Sequence, residues 1–271
     1  MKLKLLPCLA LLLSINHSVS AQFLKKLGKK IEQAAERTME RKVEEKSEKE
    51  TAKAFDSTFN NSGGLFKGKA KVYKPSYAFT HKYVMQMDDG KNKTNINYYL
   101  KNGAGYMGTS IDVDNGQEMI TVMDMEDETA HIFITMGNQK SVMSVGLDFD
   151  EAVSKSVNES EFSITPTGGK KTILGYSCEE YKVKGKDING IIWLTKNADV
   201  SFNNSFYGVK NNKQNASKQT NQSWMAHVDG LLMESIITDT SKRKAQTLTM
   251  VCTALDKSAF KIISSDYKGA F

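Results

Sequence analysis

Proline is nearly absent: three residues in 271, alongside three cysteines, two tryptophans and four histidines. So little proline excludes a collagen-like or polyproline-rich chain. The cysteines are too few for a small disulfide-dense scaffold and form no CxxC pair. The histidines show no HExxH spacing and no neighbouring cysteine or carboxylate signature, so no metal site is expected. There is no GxSxG nucleophile elbow and no Walker A loop. With no such signature, no catalytic residue and no cofactor are expected. After residue 21 no apolar run approaches the 18 residues of a membrane-spanning helix. What the chain does have is 39% hydrophobic and 25% charged residues. That composition fits one soluble globular domain with an appendage.

The opening residues read as an address. Lys2 and Lys4 precede an apolar stretch over residues 5–15, and Val19-Ser20-Ala21 supplies the small residues of a cleavage site. Residues 1–21 are therefore expected to be a signal peptide, and the mature chain to be soluble in the periplasm or cell envelope. Residues 22–55 form a charged helical arm in this reading. Phe23, Leu24, Leu27, Ile31, Ala34 and Ala35 recur at helical spacing. Much of the net +6 charge lies here, in Lys25, Lys26, Lys29 and Lys30. These lysines are candidate contacts to an anionic membrane surface or an envelope partner; the plainer alternative is a solvated arm. The rest of the chain is close to neutral, so nucleic acid is not an expected partner. Residues 56–64 (DSTFNNSGG) read as a linker to a domain over 65–271.

That domain reads as mainly β, with short alternating runs divided by turn residues. Strands are expected over 78–87, 94–100, 104–111, 118–125, 129–136, 172–183, 191–195, 232–238 and 246–255. Asn102-Gly103 is a hairpin signal. The spacing favours an antiparallel sheet over βαβ units. One short helix is expected over 150–157, and 203–223 reads as a polar surface loop. In the 172–183 run, Leu174, Tyr176 and Cys178 share one parity while Tyr181 and Val183 take the other. A β-bulge near Glu179-Glu180 would reconcile them.

The stretch ILGYSCEEY (residues 173–181) followed by IIWLT (191–195) resembles the domain of unknown function 4412 family of exported bacterial proteins. The arm ending in KAFDSTF and a closing hairpin through Phe260-Lys261-Ile262 and Ser265-Asp266-Tyr267 are similar too. The resemblance assigns no activity and no catalytic residue. It implies a fold like that of periplasmic lipoprotein carriers: a strongly curved antiparallel half-barrel with an apolar concave side and a few helices, preceded by the charged arm.

Several constellations carry less than their residue types promise. Gly103 to Gly108 matches GxGxxG, but strand follows where a nucleotide site needs a helix. Asp112-Val-Asp114-Asn-Gly116 hints at a calcium loop, yet Met123 stands where the closing carboxylate belongs. Asp124, Glu126, Asp127 and Glu128 read as a solvated acidic turn. Cys178 and Cys252 are the mature chain's two cysteines and, in an exported protein, candidates for a disulfide. The most informative residues are methionines: Met85, Met87, Met107, Met119, Met123, Met125 and Met136 fall on neighbouring strands. Flexible, polarizable side chains suit a surface that accepts varied apolar shapes, or fill an irregular core. The expected function is a non-enzymatic binding or carrier protein for an apolar or lipid-like ligand held on these methionines. The alternative is an envelope structural or interaction protein acting through the basic arm.

Overall fold

The computed structural model describes residues 72–111, 117–147, 163–202, 204–205, 230–241 and 243–269. The expected signal peptide, arm, linker, calcium-like loop and 150–157 helix lie outside these residues, as does nearly all of the 203–223 loop. The only helical element bounded within them is a 3-10 turn, Ser264–Asp266.

The strands are β1 (Ser76–Asp88), β2 (Lys93–Leu100), β3 (Tyr106–Ile111), β4 (Gln117–Asp124), β5 (Thr129–Met136) and β6 (Gln139–Gly146). They continue with β7 (Ser163–Ile173), β8 (Tyr176–Lys184), β9 (Ile188–Thr195), β10 (Leu231–Asp239), β11 (Gln246–Ile263) and β12 (Lys268–Gly269). All join one sheet in the order β12-β6-β5-β4-β3-β2-β1-β11-β10-β9-β8-β7. Two antiparallel meanders, β1–β6 and β7–β11, are therefore joined along the β1–β11 seam. Only the two-residue β12 runs parallel to its neighbour, β6.

The sheet cannot be flat. β11 and β6 stand six neighbours apart, about 29 Å at ordinary strand spacing. The chain nevertheless passes from Ile263 to Lys268, beside β6, across a reach of about 17 Å. The first residues of β1 pair only with β11, because the pairing of β1 with β2 begins at His81. A register shift between Phe79 and His81 puts an extra residue into β11, and such bulges bend a strand. The ribbon of residues 76–79 and 260–263 thus folds over one face of β2–β6. Tyr77 of β1 meets Phe133 of β5 with ring centroids 5.9 Å apart and Tyr106 of β3 at 5.0 Å. Gly108 lets the ribbon close, since a Cβ there would sit 3.0 Å from Cζ of Phe79.

Bending creates two cores on opposite faces. On β4, Ile120 and Val122 belong to a smaller cluster with Tyr77, Phe79, Tyr99, Phe133, Val142 and Ile262. Their neighbour Met123 joins a larger cluster built by β1–β5 and β8–β11. Alternation separates the two on β2 to β5, whereas β1 serves both from one face, with Tyr77 and Phe79 in the smaller cluster and Tyr83, Met85 and Met87 in the larger.

Four expectations need correction. β6 and β7 were not expected as strands. The 172–183 run is not one strand but a hairpin, turning at Leu174 (φ 51°) and Gly175 (φ 82°). The bulge expected at Glu179-Glu180 lies in the partner strand: β7 carries extra residues between Pro166 and Lys170, opposite Glu180, while β8 pairs with β9 without interruption. The closing segment is no hairpin, because β11 runs on to Ile263 and the chain then crosses to β6.

Candidate functional site

The larger cluster gathers six methionines: Met85, Met87, Met107, Met123, Met233 and Met250. Strand register explains the convergence. Met107 pairs directly with Met123 across β3–β4, and Met87 with Met250 across β1–β11. Each is 6% exposed or less, and Met125 packs against the cluster from its edge. Of the other sequence candidates, Met119 is half-buried opposite Ile134 outside the cluster, and the backbone of Met136 closes β5 between Gln117 and Gln139. Met233 and Met250 were missed, because only the order β1-β11-β10 brings them to this face. Lys25, Lys26, Lys29 and Lys30 lie outside the described residues.

Three aromatic rings pack together among the methionines. Tyr83 and Tyr98 are cross-strand partners on β1 and β2. Their rings meet at 5.7 Å, and Phe202 packs edge-on against both, at 5.3 and 5.2 Å from their centroids, and is 6% exposed. Tyr83 donates a hydrogen bond to the Leu232 carbonyl at 2.7 Å. Burial raises both tyrosine hydroxyls above their ordinary range. Cys178 and Cys252 belong to the same cluster as free, buried thiols; the disulfide is not formed. Burial pushes the Cys252 thiol up to about 12 and also raises that of Cys178, which makes both inert.

Phe202 is delivered by a strap that follows β9 and is pinned at the edge of the cluster. Asp199 accepts from His81 Nε2 at 3.0 Å and from Lys257 Nζ at 2.5 Å. His81 Nδ1 is 2.9 Å from the Thr80 hydroxyl. The Asn102 side chain donates to the Asp199 carbonyl and accepts from the Ser201 N–H. The Gly103 N–H donates to the Asn204 carbonyl at 2.6 Å. Lys257 first, then His81, holds the Asp199 carboxyl below the usual carboxylate range. The GxGxxG stretch is thus a turn, with Gly103 and Gly105 at positive φ, and it serves as a mooring for the strap.

The opposite face holds a second polar group, which the sequence misjudged. Asp124 is fully buried instead of solvated: the folded-over ribbon sets Lys74 on it, and the Glu126 and Asp127 N–H groups donate to its Oδ1. Burial works against the Lys74 charge, but the hydrogen bonds with Asp124 and Glu126 outweigh it and raise its pKa. His131 beside them is fully buried, its Nδ1 2.7 Å from the Ser144 hydroxyl and its Nε2 without a hydrogen-bond partner among the described residues. Burial lowers its pKa to about 4, so it is neutral at pH 7. Among the described residues no cluster of three His, Cys, Asp or Glu side chains fits a metal ion, and no helix is long and apolar enough to cross a membrane.

No curated protein matches this sequence. Among solved structures, PNGF-II in its C2 crystal form is 14% identical with a TM-score of 0.36, over 70% of this chain and 31% of that one. MucB is 9% identical with a TM-score of 0.37, over 71% of this chain and 58% of that one. The chain thus spans less than two thirds of the length of either. A family model, described as a domain of unknown function (DUF4412), matches residues 79–267, from the β1 bend through the strap to the closing turn. The chain belongs to the DUF4412 family.

Proposed function

We propose that this chain is an exported, non-enzymatic binding protein for an apolar or lipid-like guest, held on the methionine-rich concave face. One observation carries the reading. Six unbranched, polarizable side chains from five strands meet in one cluster, and the group seated among their tyrosines comes from a strap instead of a strand. Methionine adapts its shape to a guest at small cost. A strap held by polar contacts at a wet rim opens more cheaply than a paired strand, because water replaces its hydrogen bonds. In this reading the guest takes the place of Phe202.

The test uses the full mature chain, purified gently and extracted with organic solvent for mass spectrometry. Acyl chains at near-stoichiometric amounts are expected. After their removal, N-phenylnaphthylamine should bind with a rise in fluorescence, and more tightly to Phe202→Ala. Empty protein that also fails to take up the dye, in both wild type and Phe202→Ala, overturns the reading. Export is checked by N-terminal sequencing of secreted material, expected to begin at Gln22.

A further inference from the structure

The strap contact has the form of an amphiphile bound head and tail. Its head is the Asp199 carboxylate, 52% exposed, shared by Lys257 and His81. Its tail is Phe202, three residues on, packed edge-on against Tyr83 and Tyr98. The receiving groups are laid out to match. His81 and Tyr83 sit on the same face of β1 two residues apart, about 7 Å along the strand. Lys257 is the cross-strand partner of His81 on β11. A lysine cation and an imidazole N–H donor therefore stand together at the rim, next to the aromatic rings that pack among the methionines.

Resting on the binding reading above, we infer that residues 199–202 are an internal stand-in for the guest, and that the guest is a single acyl chain ending in a carboxylate. Its head takes the place of Asp199 between Lys257 and His81, and its chain takes the place of Phe202. The charge stays at the wet rim, where it need not be desolvated, while the chain enters the apolar interior. The strap then competes with the guest for one set of contacts, so loosening the strap strengthens binding. An uncharged chain of equal length gains the contacts of Phe202 but not the rim. Lys257 is 74% exposed, and an ion pair in that setting is modest in water. The expected preference for the charged head is accordingly about twofold to fivefold.

The experiment titrates delipidated full mature protein at pH 7.5 with dodecanoic acid, dodecan-1-ol and dodecyl phosphate, by displacement of a fluorescent dye. The wild type should prefer the acid over the alcohol by that factor. Lys257→Gln, a surface change, should erase the preference and, because it also frees Asp199 and loosens the strap, should tighten alcohol binding as Asp199→Asn does. Asp199→Asn should tighten binding of both. Equal affinity for acid and alcohol in wild type, with Lys257→Gln silent, overturns the inference and leaves the binding reading standing. Tighter binding of dodecyl phosphate than of the acid also overturns it, in favour of a phosphate head. If no probe binds to wild type, Asp199→Asn or Phe202→Ala, the binding reading itself falls.

Discussion

Strands β2 to β5 carry two different chemistries on their two sides. One side is built from methionine and aliphatic residues, with the Tyr83 hydroxyl anchored to the Leu232 carbonyl. The opposite side is built from rings in fixed edge-to-face contact: Tyr77 on Tyr106, Phe79 on Tyr106, Phe133 on Tyr267. Beside those rings lie a buried ion pair and a buried neutral histidine. Unbranched side chains change rotamer readily and tolerate substitution. Ring pairs and buried polar groups hold one geometry and fail when it is lost. One side therefore reads as scaffold and the other as an adaptable surface, although both are buried. Burial alone does not reveal which core performs a function; stiffness does.

That contrast can be broken most forcefully at Phe133, fully buried at the centre of the aromatic side. Phe133→Ala should cost about 4 kcal/mol in urea unfolding, in the range of large-to-small core changes. Acid should come next. Native His131 is neutral with a pKa near 4, whereas the unfolded chain takes up the proton near the ordinary 6.5. The unfolded state then binds more protons, so stability falls as pH drops from about 6.5 to about 4 and this contribution does not grow below that. The loss should reach about 3 kcal/mol. A His131→Phe, Ser144→Ala double variant should flatten this segment of the stability-pH curve. Gly108→Val should cost about 2 kcal/mol, because its side chain would press on Phe79 and Tyr99. The smallest effect is expected on the soft side. Met107→Leu and Met123→Leu should each cost less than about 1.5 kcal/mol, while dye affinity drops as the face loses adaptability. Equal stability costs on the two sides would erase the distinction.

Much of the strand layout was legible from alternation. Tyr77 to Met87 alternate without a break, and the expected strand over 78–87 falls within β1. The 118–125 and 129–136 runs likewise match β4 and β5 to within a residue. β7 was illegible because Pro166 and Gly168-Gly169 are poor strand residues, tolerated on a sheet edge where one side needs no partner. Leu174 hid the neighbouring turn, since leucine rarely adopts positive φ and gives no turn signal. β6 begins with the polar Gln139-Lys140-Ser141, which masks the alternation that follows. The candidate methionines on β1, β3 and β4 could be read as one face strand by strand. The strap could not, because its partners Asp199 and His81 are 118 positions apart and neither carries a local signal.

The sequence by itself determined the strands, their faces and the concentration of methionine among them, because side-chain alternation is written in adjacent residues. Tertiary structure alone decided that β1 pairs with β11 and bends across the sheet. From that single closure follow the burial of Asp124 beneath Lys74 and the meeting of Met87 with Met250. The physical reason is that pairing between distant strands is fixed by the burial gained once a long loop closes, a property of the whole chain that no short stretch encodes.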